Sequence, residues 1–322
     1  MRYLLARIGQ SLLLLTGVSL LSFAFLQLAP GDFFSEMRLS PQISDETVQG
    51  LRKQFALDKP LHIRYWRWLQ STFHGELGFS FAYNSPVAPL ILDRAGNTLL
   101  LTSTAMFFAW CVAVPLGVMS AAAPAGLLAR FCSIGTAAFL ATPELLLALL
   151  ALMLAVRTGW TRSLGMGAAV TTAQGWQGFR NTTTHLILPA LVLVLTSVPV
   201  LLQHTASAMR EALASPYIAA VRAHGIRPTR ILFHHALRAA LNPLVSLLGT
   251  SLAGLLSASL LVEVVMGWPG IGPLLLEAIL NRDVYVVIGG VMLSAIFLAS
   301  GMFIADLLLF AVDPRIRAER LS

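Results

Sequence analysis

The chain has 322 residues, of which 57% are hydrophobic and only 11% charged, at a mean hydropathy of +0.76. Soluble domains carry roughly 25% charged residues, so this balance excludes an ordinary soluble enzyme or binding module and points to an integral membrane protein. The net charge of +7 lies in arginines beside apolar spans, where it sets topology and meets membrane lipid; no basic run interleaved with aromatics suggests nucleic acid.

The N-terminus, Met1 to Arg7, is a positive flank like that of a signal peptide. The apolar stretch behind it, Ile8 to Ala29, exceeds the roughly 7–15 residues of a signal core and ends in no small-x-small cleavage site. It is expected to be a retained first transmembrane helix. A helix needs about 20 apolar residues to cross about 30 Å of hydrocarbon. Six segments reach that length, near 8–29, 99–121, 131–156, 186–205, 244–266 and 284–312. Pro189 and Pro199 interrupt the fourth, which bundles tolerate where neighbours re-satisfy the freed carbonyls. The expected fold is all-α, with six crossings.

Lys and Arg counts orient the spans. Arg2 and Arg7 precede the first span; Arg210, Arg222, Arg227, Arg230 and Arg238 lie between the fourth and fifth against one acid, Glu211; Arg315, Arg317 and Arg320 follow the sixth. With six crossings all three groups share one side, the cytoplasm, so both termini are expected inside. Arg157, Arg162 and Arg180 argue the other way and are outnumbered. The expected organisation is residues 1–30 as flank and first helix, 31–97 as an external loop, 98–312 as a five-helix core with a cytoplasmic loop at 206–243, and 313–322 as a cytoplasmic tail.

Pro30 to Asn97 contains seven basic and seven acidic residues, a balance that does not oppose translocation. Leu51–Phe55 and Pro60–Phe73 have the pattern of short amphipathic helices, the second carrying Tyr65, Trp66 and Trp68. These aromatics are expected to anchor the loop at the membrane interface; the other reading is a surface that receives an external partner.

The third span holds an acid, Glu144, behind Thr142-Pro143. An intramembrane acid is a functional-site hypothesis, and Thr142, Pro143 and Glu144 are candidates for a pore-lining site that favours a substrate with a free amine or a bound cation. The same three residues also fit the N-cap, first and second positions of a restarted half-helix. Glu263, ahead of Met266-Gly267-Trp268-Pro269, is a further pathway candidate that closes the outer end of span five, or else an interfacial acid. Asp306 in span six is expected to pair near the cytoplasmic surface or to cap a helix. Cys111 and Cys132 lie in apolar segments and form no disulfide framework, zinc site or redox motif. The seven histidines, at 62, 74, 185, 204, 224, 234 and 235, are scattered, and no nucleophile–base pair or metal-ligand set is apparent.

The densest signal is Ser215 to Pro243, SPYIAAVRAHGIRPTRILFHHALRAALNP. Ser215 is a fitting N-cap with Pro216 at the first helical position, and Gly225 a fitting left-handed stop. The helix between them spans about nine residues, roughly 13 Å, too short to be stable alone in water. Ala219, Ala220 and Ala223 give a thin face suited to a groove, with Tyr217 and Val221 as anchors one turn apart. A packed connector is the plainer alternative. A second helical piece is expected from Pro228 to a stop at Asn242-Pro243, with Arg230, His234 and Arg238 as a cationic stripe on the headgroups. Neighbouring His234 and His235 point about 100° apart, a poor arrangement for shared chelation.

These residues resemble the loop of ATP-binding-cassette importer permeases. That loop runs E-A-A, three residues, glycine, nine residues and an I-x-L-P-like end. Ala219-Ala220-Val221, Gly225 and then Ala236-Leu237 through Pro243 occupy the frame, with Ala219 in place of the family glutamate. The version here resembles the first permease of dipeptide, oligopeptide and nickel importers. Further motifs agree in order: Leu28-Ala29-Pro30-Gly31-Asp32; Leu57-Asp58-Lys59-Pro60-Leu61; Leu77-Gly78-Phe79-Ser80; Trp268-Pro269-Gly270-Ile271-Gly272; Arg282-Asp283; and Asp313-Pro314-Arg315.

The resemblance implies a type I importer transmembrane domain in a bacterial inner membrane. It implies a transport subunit rather than an enzyme, paired with a second homologous permease, two cytoplasmic ATPases and an extracytoplasmic binding protein. Tyr217, Ala219, Ala220, Val221, Arg222, Ala223 and Gly225 would contact an ATPase. No G-x-x-x-x-G-K-[ST] loop is present, so ATP and Mg²⁺ would be bound by the partners and no cofactor by this chain. Peptides are the expected substrate, nickel or a metal chelate the alternative, and a secondary transporter the alternative of another class.

Overall fold

The computed structural model describes residues 2–28, 59–159 and 176–312. The expected helix at Leu51–Phe55, Arg162, the Ala29–Asp32 part of the first motif and the tail from Asp313 onward lie outside the described residues.

The described elements are α1 (Arg2–Leu28), α2 (Leu61–Phe73), β1 (Phe79–Ser80), β2 (Ser85–Pro86), α3 (Val87–Ala122), α4 (Leu127–Ala141) and α5 (Glu144–Arg157). Then come α6 (Trp176–Ala214), α7 (Pro216–Ala223), a continuous helical rod α8 (Pro228–Met266), α9 (Ile271–Leu280) and α10 (Val284–Val312). Among the described residues, five helices are long and apolar enough to cross a membrane, and α4 with α5 forms a pair bent by 100° that raises the number to six if it counts as one crossing. Helices dominate because backbone polar groups in hydrocarbon must be satisfied within the segment.

The chain divides into two compact units, residues 1–98 with 269–299 and residues 99–268 with 300–322. In the first unit, Phe23 of α1, Trp68 of α2 and Ile288 of α10 form one buried cluster. Trp68 is 4% exposed, its ring 5.2 Å from that of Phe23, and its Nε1 donates to the Leu77 carbonyl at 3.1 Å. Tyr65 stands edge-on to Phe23, and its hydroxyl is 3.0 Å from Ser19 Oγ. The interface-anchor expectation therefore fails for Trp68, which together with the half-buried Tyr65 pins α2 to the first span. Trp66 alone stays largely exposed, at 60%.

Two motifs read separately in the sequence meet in this unit. The strands β1 and β2 pair antiparallel, Phe79 opposite Pro86 and Ser80 opposite Ser85. Asp283, fully buried, receives the Ser80 hydroxyl at 2.7 Å and the Ala82 N–H at 3.1 Å on one carboxylate oxygen. Gly78 leads into the hairpin at φ +108°, where a Cβ would lie 2.9 Å from the Tyr285 ring. Only glycine fits there without strain.

In the second unit, the central cluster gathers Leu101 of α3, Ala148 and Ala155 of α5, Val192 and Leu193 of α6, and Leu255 and Val262 of α8. α8 ends in a Schellman motif. Gly267 is left-handed at φ +67°, the Trp268 N–H reaches the Glu263 carbonyl at 2.9 Å, and the Gly267 N–H reaches Val264 at 3.4 Å.

The helices overrun the expected spans. α3 begins twelve residues before the expected Leu99, at Val87, and α6 runs unbroken through Pro189 and Pro199. The expected stop at Asn242-Pro243 does not occur: Pro243 lies inside α8, which already begins at Pro228. Hydropathy marks the lipid-soluble length of a helix, whereas its hydrogen-bonded ladder runs on past it.

Candidate functional site

The cytoplasmic-loop candidates fall on α7 and the turns around it. Ser215 caps the helix, its Oγ accepting from the Ile218 N–H at 3.4 Å, and Pro216 occupies the first turn where a missing N–H costs nothing. The helix covers Pro216–Ala223, eight residues against nine expected, with His224 as C-cap and Gly225 at φ +73°. A side chain at that φ is strained, so Gly225 fixes the stop.

An eight-residue helix needs tertiary support, and Ile218 supplies it. Its side chain is fully buried, packed with Val118 of α3, Met209 of α6, and Ile231 and Ala236 of α8. Val221, one turn on, is half-buried against the same cluster. Val221 therefore helps anchor α7 to its own chain while staying partly exposed. The sequence reading passed over Ile218; its i, i+3 spacing to Val221 was the available signal.

The opposite face is open. Tyr217 (56% exposed), Ala219, Ala220, Arg222, Ala223 and Gly225 are all exposed. Three alanines on one helix make a surface with almost no side-chain relief, so a facing cleft can approach the backbone closely. Tyr217 is held in place despite its exposure: its hydroxyl lies 2.8 Å from His235 Nδ1. His235 belongs to a π-helical segment, Ile231–Ala236, near the start of α8. Such segments interrupt the α-helical register and are frequent at functional sites. Arg230, His234 and Arg238 are exposed, as the expected stripe requires.

The pathway candidates are not gathered in one place. The helix breaks where expected, between Ala141 and Glu144, but the capping differs. Pro143 is the N-cap of α5, Glu144 is its first residue, and the Thr142 hydroxyl turns back to the Ala138 carbonyl at 2.9 Å. Proline leaves the residue before it extended, which is why Thr142 (ψ 120°) closes α4 instead of opening α5. Glu144 is half-buried and lines a groove between α5, α6 and α8. Glu263 is fully buried beside Val262 and Met266 in the last turns of α8, and it does not line that groove. Asp306 is half-buried inside α10, six residues before its end, too far in to cap the helix.

Comparison with known proteins assigns this architecture. Residues 113–318 match the binding-protein-dependent transport system inner membrane component, and residues 1–102 match the N-terminal membrane component of the same systems. This chain belongs to that family. Permeases 30–33% identical to it span nearly its full length. The oligopeptide transport system permease protein AppB of Bacillus subtilis is 33% identical over 98% of both chains. The dipeptide transport system permease protein DppB of Escherichia coli K12 is 32% identical over 99% of this chain and 100% of its own. The glutathione transport system permease protein GsiC of Salmonella paratyphi A is 30% identical over 98% and 99%. Among solved structures, the inward-facing MetNI methionine ABC transporter matches at a TM-score of 0.55 and 22% identity, covering 70% of this permease and 96% of that chain. The likeness shows a shared importer transmembrane fold.

The permease is therefore a multi-pass membrane transport component of the ATP-binding-cassette importer class, as the loop resemblance implied. The secondary-transporter alternative is set aside, since this family is defined by dependence on a binding protein.

Proposed function

We propose that this permease forms, with a second homologous permease, the transmembrane pathway for di- or oligopeptides. An extracytoplasmic binding protein delivers them, and two cytoplasmic ATPases carry ATP and Mg²⁺ and drive import. The observation that carries the reading is α7 itself: a capped helix seated through buried Ile218, with a smooth alanine face turned outward. A lever needs this division, one face locked into the core of its own chain and one free for the motor. The AppB, DppB and GsiC relatives are named for peptides or glutathione, which favours peptides over nickel or a chelate.

The placement of α7 in the cytoplasm rests on charge and crossing parity. α4 and α5, at 15 and 14 residues, are each about 21–23 Å long, short of the ~30 Å of hydrocarbon. If the bent pair carries the chain across once, α7 lies on the side of Arg2 and Arg7. If the pair returns to the side it left, α7 and its five neighbouring arginines face outward. The positive-inside rule selects the first, with both termini in the cytoplasm. Energetically, ATP can drive the cycle only by binding one conformation better than the other.

The test is uptake of labelled di- and tripeptides and of ⁶³Ni²⁺ by cells carrying or lacking this permease with its neighbouring transport genes. Peptide uptake lost on deletion and restored by the wild-type chain supports the reading. Loss of nickel uptake alone, or uptake that persists without ATP, overturns it.

A further inference from the structure

The groove that Glu144 lines has a volume of about 280 Å³ and lies wholly within the second unit. Its floor is two polar stripes on facing helices. On α6, Thr196 and Ser197 stand four and three residues ahead of Val200, and His204 one turn beyond; on α8, Thr250 and Ser251 follow Leu247 and precede Gly254. The positions recur at three and four residues, so each set shares one helix face.

The direction of the hydroxyls gives the groove its chemistry. Thr196 and Ser197 both donate to the Leu193 carbonyl, at 3.0 and 2.7 Å, and Thr250 and Ser251 both donate to the Leu247 carbonyl, at 3.0 and 2.7 Å. Their hydrogens are used inside their own helices, which leaves oxygen lone pairs for the groove. With the Glu144 carboxylate these oxygens are acceptors set among the apolar side chains of Val200, Leu201, Leu247, Leu255 and Ala258. Among the described groove residues no lysine or arginine is present. A half-exposed acid at membrane depth belongs to a water-filled path or a binding site, not to a lipid-facing surface. An ammonium group, with three donors and no acceptor, is the complement of this lining.

Resting on the reading of this chain as a peptide-importing permease, we infer that the α5–α6–α8 groove is a transit site for the substrate's free ammonium group, with Glu144 as its counter-charge and His204 at its margin. The resulting selectivity is for peptides with an unblocked amino terminus or a cationic side chain. A metal ion is a poorer fit, because among the described residues no group of three or more His, Cys, Asp or Glu could hold one.

Gly254 supplies the probe. It is exposed in the groove, and a Cβ there would meet nothing within 4 Å, so Gly254→Cys adds a thiol without disturbing the packing. Cys111 and Cys132 are first replaced by serine, and the full chain is kept in native membranes with its partner subunits. The thiol is then reacted with a quaternary-ammonium and with a sulfonate methanethiosulfonate reagent, each rate normalised to that with a free thiol. A carboxylate in the same groove should favour the cation by about tenfold or more, and Glu144→Gln should bring the ratio to within about threefold of unity. Glu144→Asp should retain most of the preference.

A dipeptide with a free amino terminus should slow modification while its N-acetyl counterpart does not. A thiol inert to both reagents would mean the groove is sealed, by the second permease or by lipid. That result, an equal ratio in the wild-type background, a preference that survives Glu144→Gln, or protection that does not distinguish the two dipeptides, overturns the inference. ATP-dependent peptide uptake, measured on the same membranes, is a separate readout: its presence with an unselective groove removes this site and keeps the proposed function, and its absence removes the function.

Discussion

Replacing Ile218 with alanine should release α7 from the permease without unfolding it. The side chain is fully buried among Met209, Ile231 and Ala236, and the change deletes three carbons. At roughly 0.8 kcal/mol per buried methylene the transfer loss is about 2.4 kcal/mol, and the cavity left behind brings it to about 3 kcal/mol. The other tie, the hydrogen bond between Tyr217 and His235, is solvent-exposed and contributes about 0.5–1 kcal/mol. Burial of Ile218 therefore dominates. An eight-residue helix cannot hold itself together, so the loss appears as local opening, on the order of 100-fold at 1.4 kcal/mol per decade. Arg222 is exposed on the helix and makes opening visible to trypsin, whose cutting rate follows the open population when reclosing is fast. Cleavage after Arg222 in the purified permease should accelerate on the order of 100-fold in Ile218→Ala and less than about tenfold in Tyr217→Phe. Equal effects, or a larger effect of Tyr217→Phe, would refute the claim that apolar seating rather than the exposed hydrogen bond holds α7.

Two further outcomes are expected. Gly78→Ala should destabilise the first unit by about 1–3 kcal/mol, because it places a Cβ at positive φ and against the Tyr285 ring; a fluorescence-monitored melt of the detergent-solubilised permease that is unchanged would contradict this. The phenol of Tyr83 is pushed up to about 12 by burial, by its hydrogen bond to Glu277 and by that carboxylate's charge, against an opposing pull from Arg94. Because the folded value is raised above the ordinary 10, the stability Tyr83 contributes is complete below pH 10 and is lost as pH rises through about 12. Phenolate absorbance of wild type minus Tyr83→Phe should titrate near that upper value, and Glu277→Gln should move it part of the way down. A midpoint at the ordinary value of 10 in the wild type would show that the contact does not form.

What the sequence conveys here follows the range of each physical signal. Local chemistry carried far: Ser215-Pro216 and Gly225 bound α7 to within a residue, and Thr142-Pro143-Glu144 marked a true break. The face of α7 that turns inward was not legible, since eight residues with apolar side chains at 217, 218 and 221 fit two orientations and only the cluster around Met209 and Ile231 chooses between them. Trp68 was misplaced for the same reason. Its partners, Phe23 and Ile288, are distant along the chain, and an amphipathic pattern shows that a face is covered without naming the cover. Pro243 illustrates the converse, a strong local breaker overridden by the long helix that encloses it. The groove lay hidden because hydroxyls scattered through apolar helices gain meaning only when two helices bring them face to face.

The central claim, that the outward face of α7 receives the motor, is tested most directly by cross-linking in the assembled transporter. Ala220→Cys, in a background without Cys111 and Cys132, should form a disulfide with a cysteine introduced in the docking cleft of an ATPase subunit. Gly225→Pro should reduce that product and abolish uptake while the permease still inserts in the membrane. Labelling of the Ala220→Cys thiol by a membrane-impermeant reagent from outside the cell, or cross-linking to an ATPase from no position on this face, would contradict it.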